Sequence, residues 1–223
     1  GRDREKAGVL MPVQETVVDL QIQSTLISAG AALLGSLIGA AASLLAVWLT
    51  KRVQASGKVS LYVKMVYSKS SSHNPWGFYR SQQKQGLFFR VPLWLDVVNT
   101  CGIPRVIRNF NLYAYREETE VAPFTQVQRI GDGENAIPLG DHESYSLVIP
   151  ANSARRFDLE FILHEMDMPK DGKVFDQLIL TYFDEKDRIH AFHFTTIDSC
   201  WVEGSLKMSK EWVKLNKRCN YAR

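Results

Sequence analysis

The chain has 223 residues, 45% of them hydrophobic and 23% charged, and a net charge of +3. That size holds one ordinary domain plus a short appendage, and the composition excludes wholesale disorder. The charge is unevenly placed. Residues 1–50 hold three basic and four acidic side chains, residues 51–202 eighteen of each, and residues 203–223 six and two. A neutral body excludes a dedicated nucleic-acid-binding domain, whose balance is basic, and no nucleic acid is expected as a partner.

The first element is an uncharged run from Leu20 to Thr50, with an apolar heart from Leu26 to Leu49. A helix rises about 1.5 Å per residue, so roughly 20 apolar residues cross a bilayer. The run exceeds the roughly 7–15 apolar residues of a cleaved signal peptide. Gly30, Gly35 and Gly39 would weaken a helix in water but are tolerated in lipid. The sequence therefore predicts a transmembrane helix over residues 24–50, preceded by an N-terminal segment, 1–23. Met11 reads as a native start, with residues 1–10 an upstream extension or a cloning remnant.

Lys51, Arg52 and Lys58 follow the span, and no basic residue lies between Met11 and Ser24. Basic residues stay on the cytoplasmic side, so the N-terminus is expected outside and the rest of the chain in the cytoplasm. Arg2, Arg4 and Lys6 would balance that count if they are native. Small residues recur every four positions: Ala31, Gly35, Gly39 and Ser43 form one row, and Ser28, Ala32, Ser36 and Ala40 its neighbour. Such a smooth face lets two backbones approach closely in lipid. A homo-oligomer or an assembly with other membrane subunits is the expected use, with Leu33, Leu37, Leu44 and Trp48 turned to lipid.

Past a linker at 51–57 the pattern changes to period two, the sign of half-buried strands. Val59–Tyr67 puts Leu61, Val63, Met65 and Tyr67 on one face. Leu87–Val98 ends at the turn Asn99-Thr100-Cys101-Gly102, and Val106–Tyr115 aligns Phe110, Leu112 and Ala114. Thr125–Ile130 and Ser144–Ile149 are shorter candidates. Phe157, Leu159 and Phe161 alternate cleanly, and Phe175–Phe183 and Ile189–Thr196 flank a hairpin turn at Asp184–Asp187. Seven or eight short strands separated by Pro, Gly, Asn and Asp predict a sandwich or barrel over 58–202.

The long connection from Ser68 to Gly86 carries Trp76, Phe78, Tyr79 and Arg80, residue types enriched at binding hot spots. They are a candidate partner-binding loop; the competing reading folds the aromatics onto the sandwich as a lid. Residues 203–223 read as a basic C-terminal helix. With Lys51 and Arg52, its Lys207, Lys210, Lys214, Lys217 and Arg218 are candidate membrane-surface contacts. Its apolar residues make no clean helical stripe, so a solvated helix docked through Trp212 is the alternative.

Two stretches carry a family resemblance. Leu95-Asp96-Val97-Val98-Asn99-Thr100-Cys101-Gly102-Ile103-Pro104 resembles the strand, Asn turn and Pro-led next strand of bacterial immunoglobulin-like sandwiches. Ile149-Pro150-Ala151-Asn152-Ser153-Ala154-Arg155-Arg156-Phe157 is similar to the way their chains lead from a proline through a turn into a strand. The resemblance implies an antiparallel immunoglobulin-like β-sandwich and assigns no activity. No disulfide with a packed tryptophan is evident between the sheets, a departure from the antibody pattern.

Chemistry-bearing motifs are scarce. Cys101, Cys200 and Cys219 are odd in number and lack CxxC spacing. Reduced thiols are expected, with one disulfide plus a free thiol left open. His164-Glu165-Met166-Asp167 lacks the second histidine of a zinc protease, and His190 and His193 point to opposite faces of a strand. Gly131–Asn135 resembles part of a calcium loop without its remaining ligands. No metal, cofactor or catalytic residue is therefore nominated. The expectation is a membrane-anchored, non-catalytic binding or scaffolding subunit with the bilayer as one partner. The alternatives are a membrane-disrupting effector whose sandwich controls helix clustering, and an enzyme with an unfamiliar site.

Overall fold

The computed structural model describes residues 13–69, 75–82, 84–170, 172–216 and 219, with helix side chains described from residue 21. The chain divides into two compact units, Gly1–Val53 and Gln54–Arg223. The first contains nearly all of helix α1 (Val13–Ala55), and Gln21–Ala55 is long and apolar enough to cross a membrane. Its hydroxyls bond back to its own carbonyls, Ser36 Oγ to Leu33 O and Ser43 Oγ to Gly39 O, both at 2.8 Å. These two hydroxyls are thus satisfied within the helix itself.

The second unit is built from β1 (Val59–Met65), β2 (Gly77–Arg80), β3 (Leu87–Asn99), β4 (Arg105–Arg116), β5 (Thr119–Pro123), β6 (Thr125–Gln126) and β7 (Arg129–Ile130). It continues with β8 (Ile137–Pro138), β9 (Leu147–Ile149), β10 (Ser153–His164), β11 (Gln177–Phe183), β12 (Ile189–Thr196), β13 (Gly204–Ser205) and β14 (Val213–Lys214). All pairings are antiparallel. In the first sheet β3 is central: β10 runs along one side from Asn99↔Ser153 to Phe88↔His164. On the other side β2 covers Leu87–Arg90 and β1 covers Leu93–Asn99. β13 extends the sheet beyond β2, β14 beyond β1 and β6 beyond β10. The second sheet has the order β12-β11-β4-β5, with β9 on the start of β4.

Period-two patterning explains why these segments pair face to face. Leu61, Val63, Leu93, Leu95, Val97, Phe157, Leu159 and Phe161 of the first sheet share one core with Phe110, Leu112, Leu178, Leu180, Phe192 and Phe194 of the second. Glycine is required at two junctions. Gly57 has φ +120, and a Cβ there would lie 2.6 Å from Thr100 O; at Gly77 a Cβ would lie 2.4 Å from Gly204 O.

Four expectations are corrected. No C-terminal helix is seen among the described residues: the tail carries β13 and β14 and belongs to the same compact unit as the sheets. The physical reason is the open sheet edges. Leu206 N–H donates to Trp76 O at 3.1 Å, Leu215 N–H to Leu61 O at 3.0 Å and Cys219 N–H to Ala191 O at 3.0 Å. Edge carbonyls thus receive partners that a helix would have kept to itself. The linker is shorter than expected, because α1 persists to Ala55. Tyr67 lies past the end of β1 and is 59% exposed instead of joining Leu61, Val63 and Met65. The candidate strand Thr125–Ile130 breaks into β6 and β7, which pair with different partners, β10 and β8.

Candidate functional site

The small-residue row lies on a helix that is apolar on every side. Leu26, Ile27 and Leu44 are 66%, 73% and 73% exposed, and a Cβ added at Gly30, Gly35 or Gly39 would meet nothing within 4 Å. Its length and apolar composition are enough to cross a membrane, and the hydropathic window is not buried. At its end the Arg52 guanidinium stands 5.1 Å over the Trp48 ring.

The loop residues nominated for partner binding divide in two. Trp76 and Phe78 are buried, 3% and 0% exposed, in an aromatic cluster. Phe78 stacks on Phe89 at 4.4 Å between centroids, Trp76 leans on Phe89 at 5.8 Å, and Trp201 meets Phe78 edge-on at 5.3 Å. The pairing of β2 with β3 turns Phe78 inward, and Trp76 lies two residues before it, just ahead of the strand. These two rings are therefore core residues, not a displayed surface. Tyr79 donates its hydroxyl to Pro75 O at 2.7 Å, and Arg80 pairs with Glu203 at 2.9 Å on the exposed edge. Among the tail residues, Lys207, Lys210 and Lys214 are exposed, while Lys217 and Arg218 lie outside the described residues.

A cleft of about 340 Å³ is lined by Lys58, Cys101, Arg105, Tyr182, Asp184, Glu185, Arg188 and His190, among others. Asp184 is its pivot. The carboxylate accepts backbone N–H bonds from Lys186 (2.9 Å) and Arg188 (3.0 Å) and a side-chain bond from Arg188 Nε (2.8 Å). His190 Nε2 lies 3.0 Å away, and its ring stacks on Tyr182 at 4.7 Å. Burial alone would raise the Asp184 pKa. The bonds from His190, Arg188 and the two backbone N–H groups outweigh it and hold the carboxyl well below the usual carboxylate range. Arg105 pairs with Glu185 and reaches Ala55 O at 3.3 Å and the buried Cys101 thiol at 3.5 Å. The pairs Arg105–Glu185 and Arg188–Asp184 thus match four of the cleft's charges, and the first pins the 184–188 turn to the start of β4. Cys101 is 1% exposed, which withdraws its thiol from solvent.

The sign of the Asp184 effect fixes a pH dependence. Its folded pKa is depressed, so its contribution to stability is present above the ordinary aspartate pKa and is lost as pH falls toward the folded value. Asp184→Asn is expected to lower stability at neutral pH and to flatten the decline between about pH 5 and pH 3. Urea midpoints across that range check it; parallel curves for the two proteins would refute it.

A second polar centre lies within the first sheet. Glu160, 3% exposed, meets Arg90 Nε at 3.0 Å and accepts from Ser68 Oγ at 2.7 Å. Burial raises its pKa, against the opposing pull of Ser68 and Arg90. Tyr145 closes the region: its hydroxyl accepts from Glu160 N–H at 2.7 Å and lies 2.8 Å from the carbonyls of Val127 and Glu160. Neither the cleft nor this centre was visible as a motif. Asp184–Asp187 read only as a turn, and Ser68, Arg90 and Glu160 are brought together from three separate segments.

Comparison with family models and with curated proteins returns no match.

Proposed function

We propose that this protein is a single-pass, membrane-anchored and non-catalytic binding or scaffolding subunit, with an immunoglobulin-like β-sandwich on the cytoplasmic side of the bilayer. The observation that carries the anchor is the exposed apolar surface within Gln21–Ala55, whose most hydrophobic 18-residue window has no buried residue. Lys51 and Arg52 support the orientation by the positive-inside rule. The row Ala31, Gly35, Gly39 and Ser43 would pack against a second helix, a copy or another subunit. The antiparallel sheets sharing one core support the sandwich, as does Asn99, whose side chain bonds to Ile103 O and Pro150 O and so joins the two stretches that carry the immunoglobulin-like resemblance.

Gly35→Leu with Gly39→Leu is expected to reduce crosslinked oligomers in a bilayer by about tenfold, because two isobutyl groups hold the backbones apart. The measurement is crosslinking yield at matched expression after carbonate extraction of membranes. Release of the wild-type chain by carbonate would refute the anchor, and an unchanged yield in the variant would refute the packing face.

A further inference from the structure

The outer face of the first sheet has an unusual composition for a water-facing surface. The register aligns Tyr62, Asp96 and Arg156 across three strands and, in the next row, Lys64, Trp94 and Asp158. Lys214 of β14 stands opposite Tyr62, with its ammonium 5.7 Å over the phenol ring. The Trp94 and Trp212 rings lie 6.5 Å apart at 28°. The Arg156 guanidinium is 5.1 Å from one and 5.0 Å from the other while it grips Asp96 at 2.7 and 2.9 Å. Two indoles and a phenol therefore lie half-buried on a sheet face whose side chains would ordinarily be polar.

The charges on this face lean positive. Asp96 is matched by Arg156 and Asp158 by Lys69, Lys210 and Glu211 cancel on the approach to β14, and Lys64 and Lys214 are in excess. Tryptophan and tyrosine bodies with lysine and arginine tips are the chemistry of the headgroup layer of a bilayer. There the rings sit among glycerol and acyl carbons and the cations reach phosphate.

We propose that the face formed by Tyr62, Lys64, Trp94, Arg156, Trp212 and Lys214 docks on the headgroup layer of an anionic bilayer. The inference rests on the membrane-anchored reading. β1 begins four residues after α1 ends, so chain length alone keeps Val59 within about 14 Å of the helix end. A surface tethered that closely meets the headgroups at a high effective concentration, so weak contacts suffice. The excess cations favour phosphate-rich lipid over a neutral protein surface, and each lysine close to an anionic leaflet strengthens binding about fivefold. The docked face would fix the domain's tilt and leave the second sheet turned toward the cytoplasm.

The test uses the full chain with Trp48→Phe, so that the helix indole is silent. It is placed in nanodiscs of phosphatidylcholine alone or in an equal mixture with phosphatidylglycerol. Each disc carries a trace of headgroup spin-labelled lipid, and tryptophan quenching is read. Quenching is expected to rise on adding the anionic lipid and to fall back at high salt. Lys64→Glu with Lys214→Glu is expected to weaken docking by more than about 25-fold, because each change removes an attraction and adds a repulsion, and to abolish the rise. Trp94→Phe with Trp212→Phe removes the quenched component itself; the lysine pair, being surface changes, keeps the test decisive if that variant folds poorly. Quenching that is equal in the two lipids, or unmoved by charge reversal, overturns the docking face. A chain that does not enter the discs overturns the anchor instead, so the two failures are distinguishable.

Discussion

Asn99→Asp is expected to destabilise the β unit by about 3–5 kcal/mol, although the substitution exchanges one amide nitrogen for an oxygen. Asn99 is 1% exposed at the end of β3. Its Nδ2 donates to Ile103 O at 3.0 Å and to Pro150 O at 2.9 Å, with Ile149 O at 3.4 Å, and its Oδ1 accepts from Cys101 N–H at 2.9 Å. One side chain thus satisfies backbone groups from the turn that follows β3 and from the turn that precedes β10. A carboxylate in its place faces carbonyl oxygens with no proton to offer, in a site closed to water. Protonation restores one donor, so the deficit should shrink as pH falls. Asn99→Leu removes the repulsion but orphans the same backbone groups, and a loss of similar size is expected. Urea unfolding of the full chain in nanodiscs, followed by near-ultraviolet circular dichroism, measures both. A loss below about 1 kcal/mol for both variants would mean that the turn finds other partners, and this account of Asn99 would fail.

The same residue shows how much of the fold was legible. Leu95–Pro104 and Ile149–Phe157 were readable as a strand with an Asn turn and as a proline turn leading into a strand, because Pro, Gly and Asn restrict the backbone locally. That Asn99 would bridge the two stretches was not readable, since the contact joins residues about 50 apart in sequence. β3 and β10 were legible because long strands buried mainly on one face alternate, as Phe157, Leu159 and Phe161 do, and β11 was legible as a mostly apolar run because both of its faces are buried. β6, β7, β13 and β14 are two residues each, too short for any period, and exist because a neighbouring edge offers partners. The loop aromatics show the opposite ambiguity. Composition makes Trp76 and Phe78 equally apt for a partner surface and for a core, and it is long-range contact, the pairing of β2 with β3 for Phe78 and the packing on Phe89 for Trp76, that turns them inward. The helix was legible because its signal is mass composition, independent of long-range contacts; the cleft around Asp184 was not, because its members come from four separate parts of the sequence.

Ending the chain at Val202 is expected to cost about 5 kcal/mol or more, enough to threaten the cooperative fold of a domain whose total stability is of the order of 5–15 kcal/mol. The tail has no helix of its own to fall back on, and its apolar residues are part of the core. Leu215 is 6% exposed in the main cluster, and Leu206, Met208 and Val213 pack against it. Truncating Leu215 alone to alanine should cost about 2–4 kcal/mol. Full removal adds the loss of β13 from β2 and β14 from β1, strips Trp212 from Trp94 and Arg156, and bares the edge at Leu61. A solvated helix docked through one tryptophan would behave differently: its loss would cost about 1–2 kcal/mol and leave the transition cooperative. Thermal unfolding and limited proteolysis in nanodiscs separate the two. A peptide spanning 203–223, added in trans to the shortened chain, should restore part of the lost protection by refilling the same edges. A shortened chain that unfolds at the wild-type temperature, with no response to the peptide, would show that the tail strands are decoration on a domain complete without them.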